Sequence, residues 1–281
     1  MKIQSNLSSW FLPLILLLVF QPTPLTAQET EDEREFDYVK ESEKGPAHWG
    51  ELKEEWAACK HGKLQSPIDL LNHKVKVIPK LGDLKFSYKP SNATIRNRGH
   101  DIAVIWHDDA GSVQINGTDY FLKQCHWHSP SEHSINGRKF ELELHMVHQS
   151  SKKNVENNIA VLVLLYKIGK PDCFLNELTQ DLRSIADTEE EIHQGEIDPR
   201  KLRMGGLKYY RYFGSLTIPP CTEGVIWTIN KKISTVSREQ VELLREAVHD
   251  FAERNARPIQ PINQRDIHFY GLNLPRDDLR N

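Results

Sequence analysis

The 281-residue sequence predicts a single α+β domain, a large twisted, mainly antiparallel β-sheet with a few peripheral helices. Two observations carry that reading. From Trp49 onward, apolar residues come in short runs, among them "DIAVIW", "YFLKQCHWH", "KFELELHMVH", "IAVLVLLYKIG" and "VIWTI", and Gly, Asn, Asp and Pro separate them. Helical patterning, by contrast, is confined to two stretches. Val161–Tyr166 is apolar on both faces and belongs at the centre of the sheet. "SREQVELLREAVHDFAERN" opens with a capping box, Ser237 and Gln240, and sets Val241, Leu244, Val248 and Phe251 on one face. "NELTQDLRSIADTEEEI" is a weaker second helix, and both read as coverings for the sheet. No repeat or linker divides the chain, so one domain over 45–275 is expected, with a tail at 276–281.

A hydrophobic content of 38%, a charged content of 27% and a net charge of −3 suit a soluble protein and supply no basic field for nucleic acid. Residues 1–27 read as a secretory signal: Lys2, the apolar run "WFLPLILLLVF", then "QPTPLTA" with Ala27 as the last residue removed. That run is broken by Pro13 and falls well short of the ~20 residues a membrane span needs. The chain is therefore expected in the secretory pathway, bound for the apoplast, the vacuole or, by that route, the chloroplast. Residues 28–44 are acidic and nearly free of aliphatic side chains, as in a solvated, mobile arm. An oxidising lumen permits disulfides among Cys59, Cys125, Cys173 and Cys221, with three full pairings open. It also makes Asn92 in "NAT" and Asn116 in "NGT" candidate glycosylation acceptors.

The chemistry concentrates in "QCHWHSPSEHSINGRKFELELHMVH". Strand alternation points His126 and His128 to one face with Gln124, and Cys125 and Trp127 to the other. "INGR" is a turn signal, so the segment after it returns as an antiparallel neighbour with Glu141, Glu143, His145 and Val147 on one face. One register brings His145 beside the pair. Three imidazoles then make three corners of a tetrahedron with the fourth open, as in a catalytic zinc site. Gln124 and Glu143 lie on the faces from which the outer ring nitrogens could be held. His133 and His148 fall outside this set. "HWHSPSE" also fits the H-x-H-x₃-E opening of cupins, with Glu132 as a ligand and redox chemistry. Gly137, however, arrives too early for that motif, and its downstream P-x-G…H partner is absent.

Eight ordered blocks across about residues 45–270 resemble the α-type carbonic anhydrases, most of all the plant branch. They include "HWGEL", "CKHGKLQSPIDL", "NRGHDIAV", "QCHWHSPSEH", "ELELHMVH", "AVLVLLYKIG", "GSLTIPPCTEGVIW" and "NARPIQP". The resemblance implies zinc in a conical cavity, held by His126, His128 and His145, where hydroxide on the metal attacks carbon dioxide to give bicarbonate. A pKa of about 7 for the zinc-bound water is the value established for carbonic anhydrase itself. The resemblance further implies that Thr217 accepts the hydroxide's proton in a hydrogen bond while donating its own to Glu132. Val147, Val161, Leu216, Ile218, Val225 and Trp227 match the substrate pocket, and His100 matches the proton shuttle. Cys59 and Cys221 match a disulfide, leaving Cys125 a buried thiol and Cys173 a loop thiol. Cis bonds are implied at Ser66–Pro67 and Pro219–Pro220. Three residues depart from the pattern: Ile218 for threonine, Glu51 for tyrosine and Arg98 for asparagine. The alternative from another class is a non-catalytic storage or defence relative that keeps the fold. Survival of the three histidines and of Thr217 and Glu132 favours the enzyme.

Overall fold

A computed structural model describes residues 35–152, 157–186, 188, 191–204 and 208–271. The expected signal segment 1–27, the first part of the expected arm and the expected tail 276–281 lie outside the described residues. Ten strands form the main path of an open, mixed sheet: β1 (Val75–Val77), β2 (Ser91–Asn97), β3 (Ile102–Trp106), β4 (Thr118–His128), β5 (Leu142–Ser150), β6 (Ile159–Ile168), β7 (Glu191–Ile197), β8 (Lys208–Ser215), β9 (Glu223–Asn230) and β10 (Ile267–Gly271). Their spatial order is β7-β2-β3-β4-β5-β6-β9-β8-β10-β1. Most pairs along it are antiparallel, as expected; β6 with β9 and β10 with β1 are parallel. Residues 159–166 of β6 are buried without interruption, because the strand lies between β5 and β9 with both faces covered.

The two faces bury different things. One packs Ile95, Val104, Cys125, Trp127, Leu144 and Leu162 beneath the helices. The other packs Val161, Val163, Tyr212, Leu216, Val225 and Trp227. Each fully buried apolar side chain of this kind contributes roughly 1.5–3 kcal/mol. Helix α1 (Cys173–Ser184) starts earlier than the apolar pattern indicates. Asp172, which accepts a hydrogen bond from the Leu175 N–H at 3.0 Å, is its cap. Cys173 is therefore an exposed first-turn residue, not a loop thiol. Helix α2 (Arg238–Glu246) has the expected capping box, Ser237 with Gln240, and buries Val241 and Leu244. It ends before Val248, and Phe251 falls in a separate short 3₁₀ turn.

The expected solvated arm is corrected at Phe36, which packs on the domain, while Val39–Glu41, Glu43 and Lys44 are exposed. Phe36 is 1% exposed and meets Trp49, Trp56 and Tyr38 edge-on. Trp49 Nε1 donates to the carbonyls of Asp37 and Lys44, and Asp37 N donates to Lys44 O, so the segment closes on itself around the indole. One buried aromatic outweighs the charges around it.

Candidate metal centre

A β-bulge in β4 sets the face on which the histidines stand. The register with β5 shifts between Leu122 and Gln124. Before the bulge, Tyr120 and Leu122 face the helix-covered core; after it, Cys125 and Trp127 do. The extra residue thus switches alternation by one and turns Gln124, His126 and His128 to the opposite face. Pairing with β5 then sets His126 directly across from His145 and His128 across from Glu143. This register brings His145 beside the His126/His128 pair, and the turn between the two strands is made at Asn136 and Gly137, both of which adopt positive φ.

One nitrogen of each of His126, His128 and His145 lies within 4.8 Å of the others, and all three residues are buried. The outer nitrogens are each held. His126 Nδ1 donates to Gln124 Oε1 at 2.8 Å, and His128 Nδ1 donates to the Asn255 carbonyl at 2.7 Å. His145 Nε2 lies 2.7 Å from Glu143 Oε1. Burial raises the Glu143 pKa, but His133 and His145 more than offset it and hold the carboxyl well below the usual range. An ionised Glu143 only accepts, so His145 Nε2 carries the proton and Nδ1 keeps its lone pair. Desolvation lowers the pKa of His126 and of His145, which favours the neutral, ligating imidazoles. His128 Nε2 is buried without a hydrogen-bond partner. An orphaned ring nitrogen beside two further free lone pairs fits a zinc ion, for which three imidazoles leave one position open.

Glu143 also accepts from His133 Nδ1 at 2.6 Å and from the His133 N–H at 2.8 Å. The same carboxylate places His133, Glu143 and His145 within metal distance of one another, but these groups already satisfy each other. Tyr212 OH lies 2.7 Å from His133 Nε2 and 2.8 Å from Ser66 Oγ, and the Ser215 N–H donates to that Oγ at 3.1 Å. All donors can therefore run one way, from Ser215 through Ser66, Tyr212 and His133 to Glu143.

Glu132 is fully buried; its Oε1 accepts from the Arg257 N–H at 2.9 Å, and its Oε2 has no hydrogen-bond partner. That oxygen lies 3.8 Å from His128 Nε2 and 3.9 Å from His145 Nε2. Thr217 is 5% exposed, but the bond expected from it is not made at Oε2. The Cys59–Cys221 disulfide is present across a separation of 162 residues and anchors the loop that carries Thr217. Cys125 is fully buried, and burial drives its thiol pKa far up. Cis bonds occur at Ser66–Pro67 and Pro219–Pro220, and also at Ser129–Pro130.

Val161, Leu216, Val225 and Trp227 form one cluster, with Val147 half-buried against it and the Trp227 ring 4.9 Å from that of His145. Ile218 is placed apart from them, against Phe36, Trp49, Trp56 and the disulfide. His100, which a turn position would leave exposed, is fully buried, its ring 5.3 Å from that of Phe36. Asn92 and Asn116 are both exposed. Asn255, Arg257 and the Tyr212–His133 pair escaped the sequence reading. Asn255 and Arg257 stand in "NARPIQP", where the contribution is partly a backbone carbonyl and a backbone N–H that no side-chain pattern reveals.

The profile for eukaryotic-type carbonic anhydrase matches residues 44–271. The chain belongs to that family. It is 56% identical over 243 residues to alpha carbonic anhydrase 7 of Arabidopsis thaliana, covering 86% of this chain and 87% of the relative. It is 50% identical to carbonic anhydrase Nec1 of Nesocodon mauritianus, over 92% of this chain and 93% of that one. Among solved structures, dioscorin complexed with ascorbate superimposes with a TM-score of 0.82 at 42% identity, over 86% of this chain and 100% of the other. As a carbonic anhydrase, the chain is a small-molecule enzyme, and no helix among its described residues is long and apolar enough to cross a membrane.

Proposed function

We propose that the chain catalyses the reversible hydration of carbon dioxide to bicarbonate and a proton, with zinc held by His126, His128 and His145. The observation that carries this is the convergence of three buried rings whose outer nitrogens are each engaged elsewhere. Bound zinc supplies an acidified water as nucleophile, with a pKa of about 7, the value established for carbonic anhydrase itself. The remaining work belongs to the chain. Gln124, the Asn255 carbonyl and Glu143 fix the ring orientations. Glu132 Oε2 is the free acceptor, and Thr217 is the hydroxyl that takes the nucleophile's proton in a hydrogen bond and donates its own to Glu132. Val147, Val161, Leu216, Val225 and Trp227 offer an apolar wall to an uncharged substrate, whereas Ile218 packs behind it with Phe36, Trp49 and Trp56. His100 accepts the released proton. The protein works in the secretory pathway, with Asn92 and Asn116 as its glycan acceptors.

Likeness to dioscorin keeps a second reading in play, a storage protein on the same fold. Stopped-flow hydration of carbon dioxide by the mature protein, before and after chelation and with zinc restored, decides between them. Turnover that follows zinc content, and that is lost in His128→Ala, is expected of the enzyme. A zinc-loaded protein without turnover overturns the catalytic reading.

A further inference from the structure

His100 sits in a turn that is fastened more heavily than a surface loop requires. Arg98 donates from Nε to Asp101 Oδ1 at 2.7 Å and from Nη2 to Oδ2 at 2.6 Å, a bidentate pair. The Arg98 N–H closes the turn on Asp101 O at 2.9 Å, and Gly99 between them adopts φ +75°. Gly99 N donates to Asn97 Oδ1, Asn255 Nδ2 donates to the His100 carbonyl, and His249 N donates to the Gly99 carbonyl. Arg98 is 7% exposed, Asp101 1% and His100 0%. Burying an ion pair carries a desolvation cost that a surface turn avoids, so its position calls for a reason. Asp101 Oδ2 lies 3.5 Å from His100 Nε2, while Phe36 covers the ring from the other direction.

We propose that Asp101, held by Arg98, is a positioning residue that fixes the His100 imidazole in one orientation beneath Phe36 for proton transfer. This rests on the reading of His100 as the group that carries protons away. Arg98 keeps the pair neutral, so the carboxylate orients the ring without trapping a proton on it as a lone anion would. The arginine at 98 and the aspartate at 101 thus act as one unit.

The test is steady-state carbon dioxide hydration by the zinc-loaded protein in dilute non-transferring buffer, repeated with added imidazole. The variants are Asp101→Asn, the double Arg98→Gln/Asp101→Asn and His100→Ala. A positioning role predicts that Asp101→Asn lowers kcat about tenfold, changes kcat/KM by less than about twofold, and is restored by imidazole. The double variant, which leaves no buried guanidinium unpaired, shows the same split. Equal losses in kcat and kcat/KM in both variants indicate a structural clamp and overturn the proposal, as does unchanged kcat. If His100→Ala shows the imidazole-restored loss while the Asp101 variants do not, this inference alone fails. If His100→Ala shows none, the reading beneath it fails as well.

Discussion

Glu143 Oε1 lies 2.7 Å from His145 Nε2, and the same oxygen lies 2.6 Å from His133 Nδ1. One buried carboxylate thereby fixes two imidazole tautomers. It leaves His145 Nδ1 as the free lone pair and ties the candidate metal centre to a chain of donors that ends at the Ser215 backbone.

Glu143→Gln removes the charge that orients both rings and offers an amide N–H where only an acceptor fits. Outer partners of this kind tune zinc affinity by roughly 10–100-fold. Competition with a chromogenic chelator should show weakening in that range. Unchanged affinity would mean that the rings are held by packing alone.

Tyr212→Phe deletes the hydroxyl between His133 Nε2 and Ser66 Oγ and leaves a buried ring nitrogen without its donor. The cost should be about 1–3 kcal/mol in urea unfolding, with zinc stoichiometry unchanged.

The Cys59–Cys221 bridge closes a loop across 162 residues, for which chain entropy gives about 5 kcal/mol as an upper figure. Cys59→Ser/Cys221→Ser should lower the unfolding free energy by several kcal/mol. Activity should fall more than zinc binding, because the bridge anchors the Thr217 loop rather than the histidine strands. Parallel loss of both would contradict that division.

His148 is buried with Nε2 2.7 Å from Tyr88 OH, and desolvation lowers its pKa to about 4. In the unfolded chain a histidine titrates near 6.5. The folded state thus holds it neutral, and its contribution is present above pH 6.5 and is lost as pH falls toward 4. Linkage puts the loss between pH 7 and pH 5 at about 2 kcal/mol. Unfolding of zinc-free wild type and His148→Gln at the two pH values should differ by that amount. Identical pH dependence would mean that His148 is not the titrating group.

Much of the site was legible because strand alternation and a two-residue turn are strong, local signals. The shared face of His126, His128 and His145 follows from period two, and the pairing that sets His145 beside the other two is the one the strands adopt. Alternation holds from Gln124 onward because the bulge lies just before it; extended back through Leu122, it assigns the wrong face. Helix α1 begins before its apolar pattern because Asp172 caps it ahead of the first periodic residue. Phe36 is hidden by the charges around it, although its single ring, set among Trp49, Trp56 and His100, fastens the start of the segment to the domain. His100 reads as exposed because glycine and polar neighbours signal a turn, whereas its cover comes from Phe36, 64 positions earlier in the chain. Such long-range contacts leave no periodic trace.

Three imidazoles and one exchangeable ligand are expected to hold zinc. Zinc K-edge X-ray absorption on the loaded protein tests it most directly. The expected result is a four-coordinate centre with three histidine nitrogens at about 2.0–2.1 Å and one further light atom, and loss of bound zinc in His128→Ala. A sulfur ligand, a six-coordinate centre or undiminished zinc in that variant would contradict it.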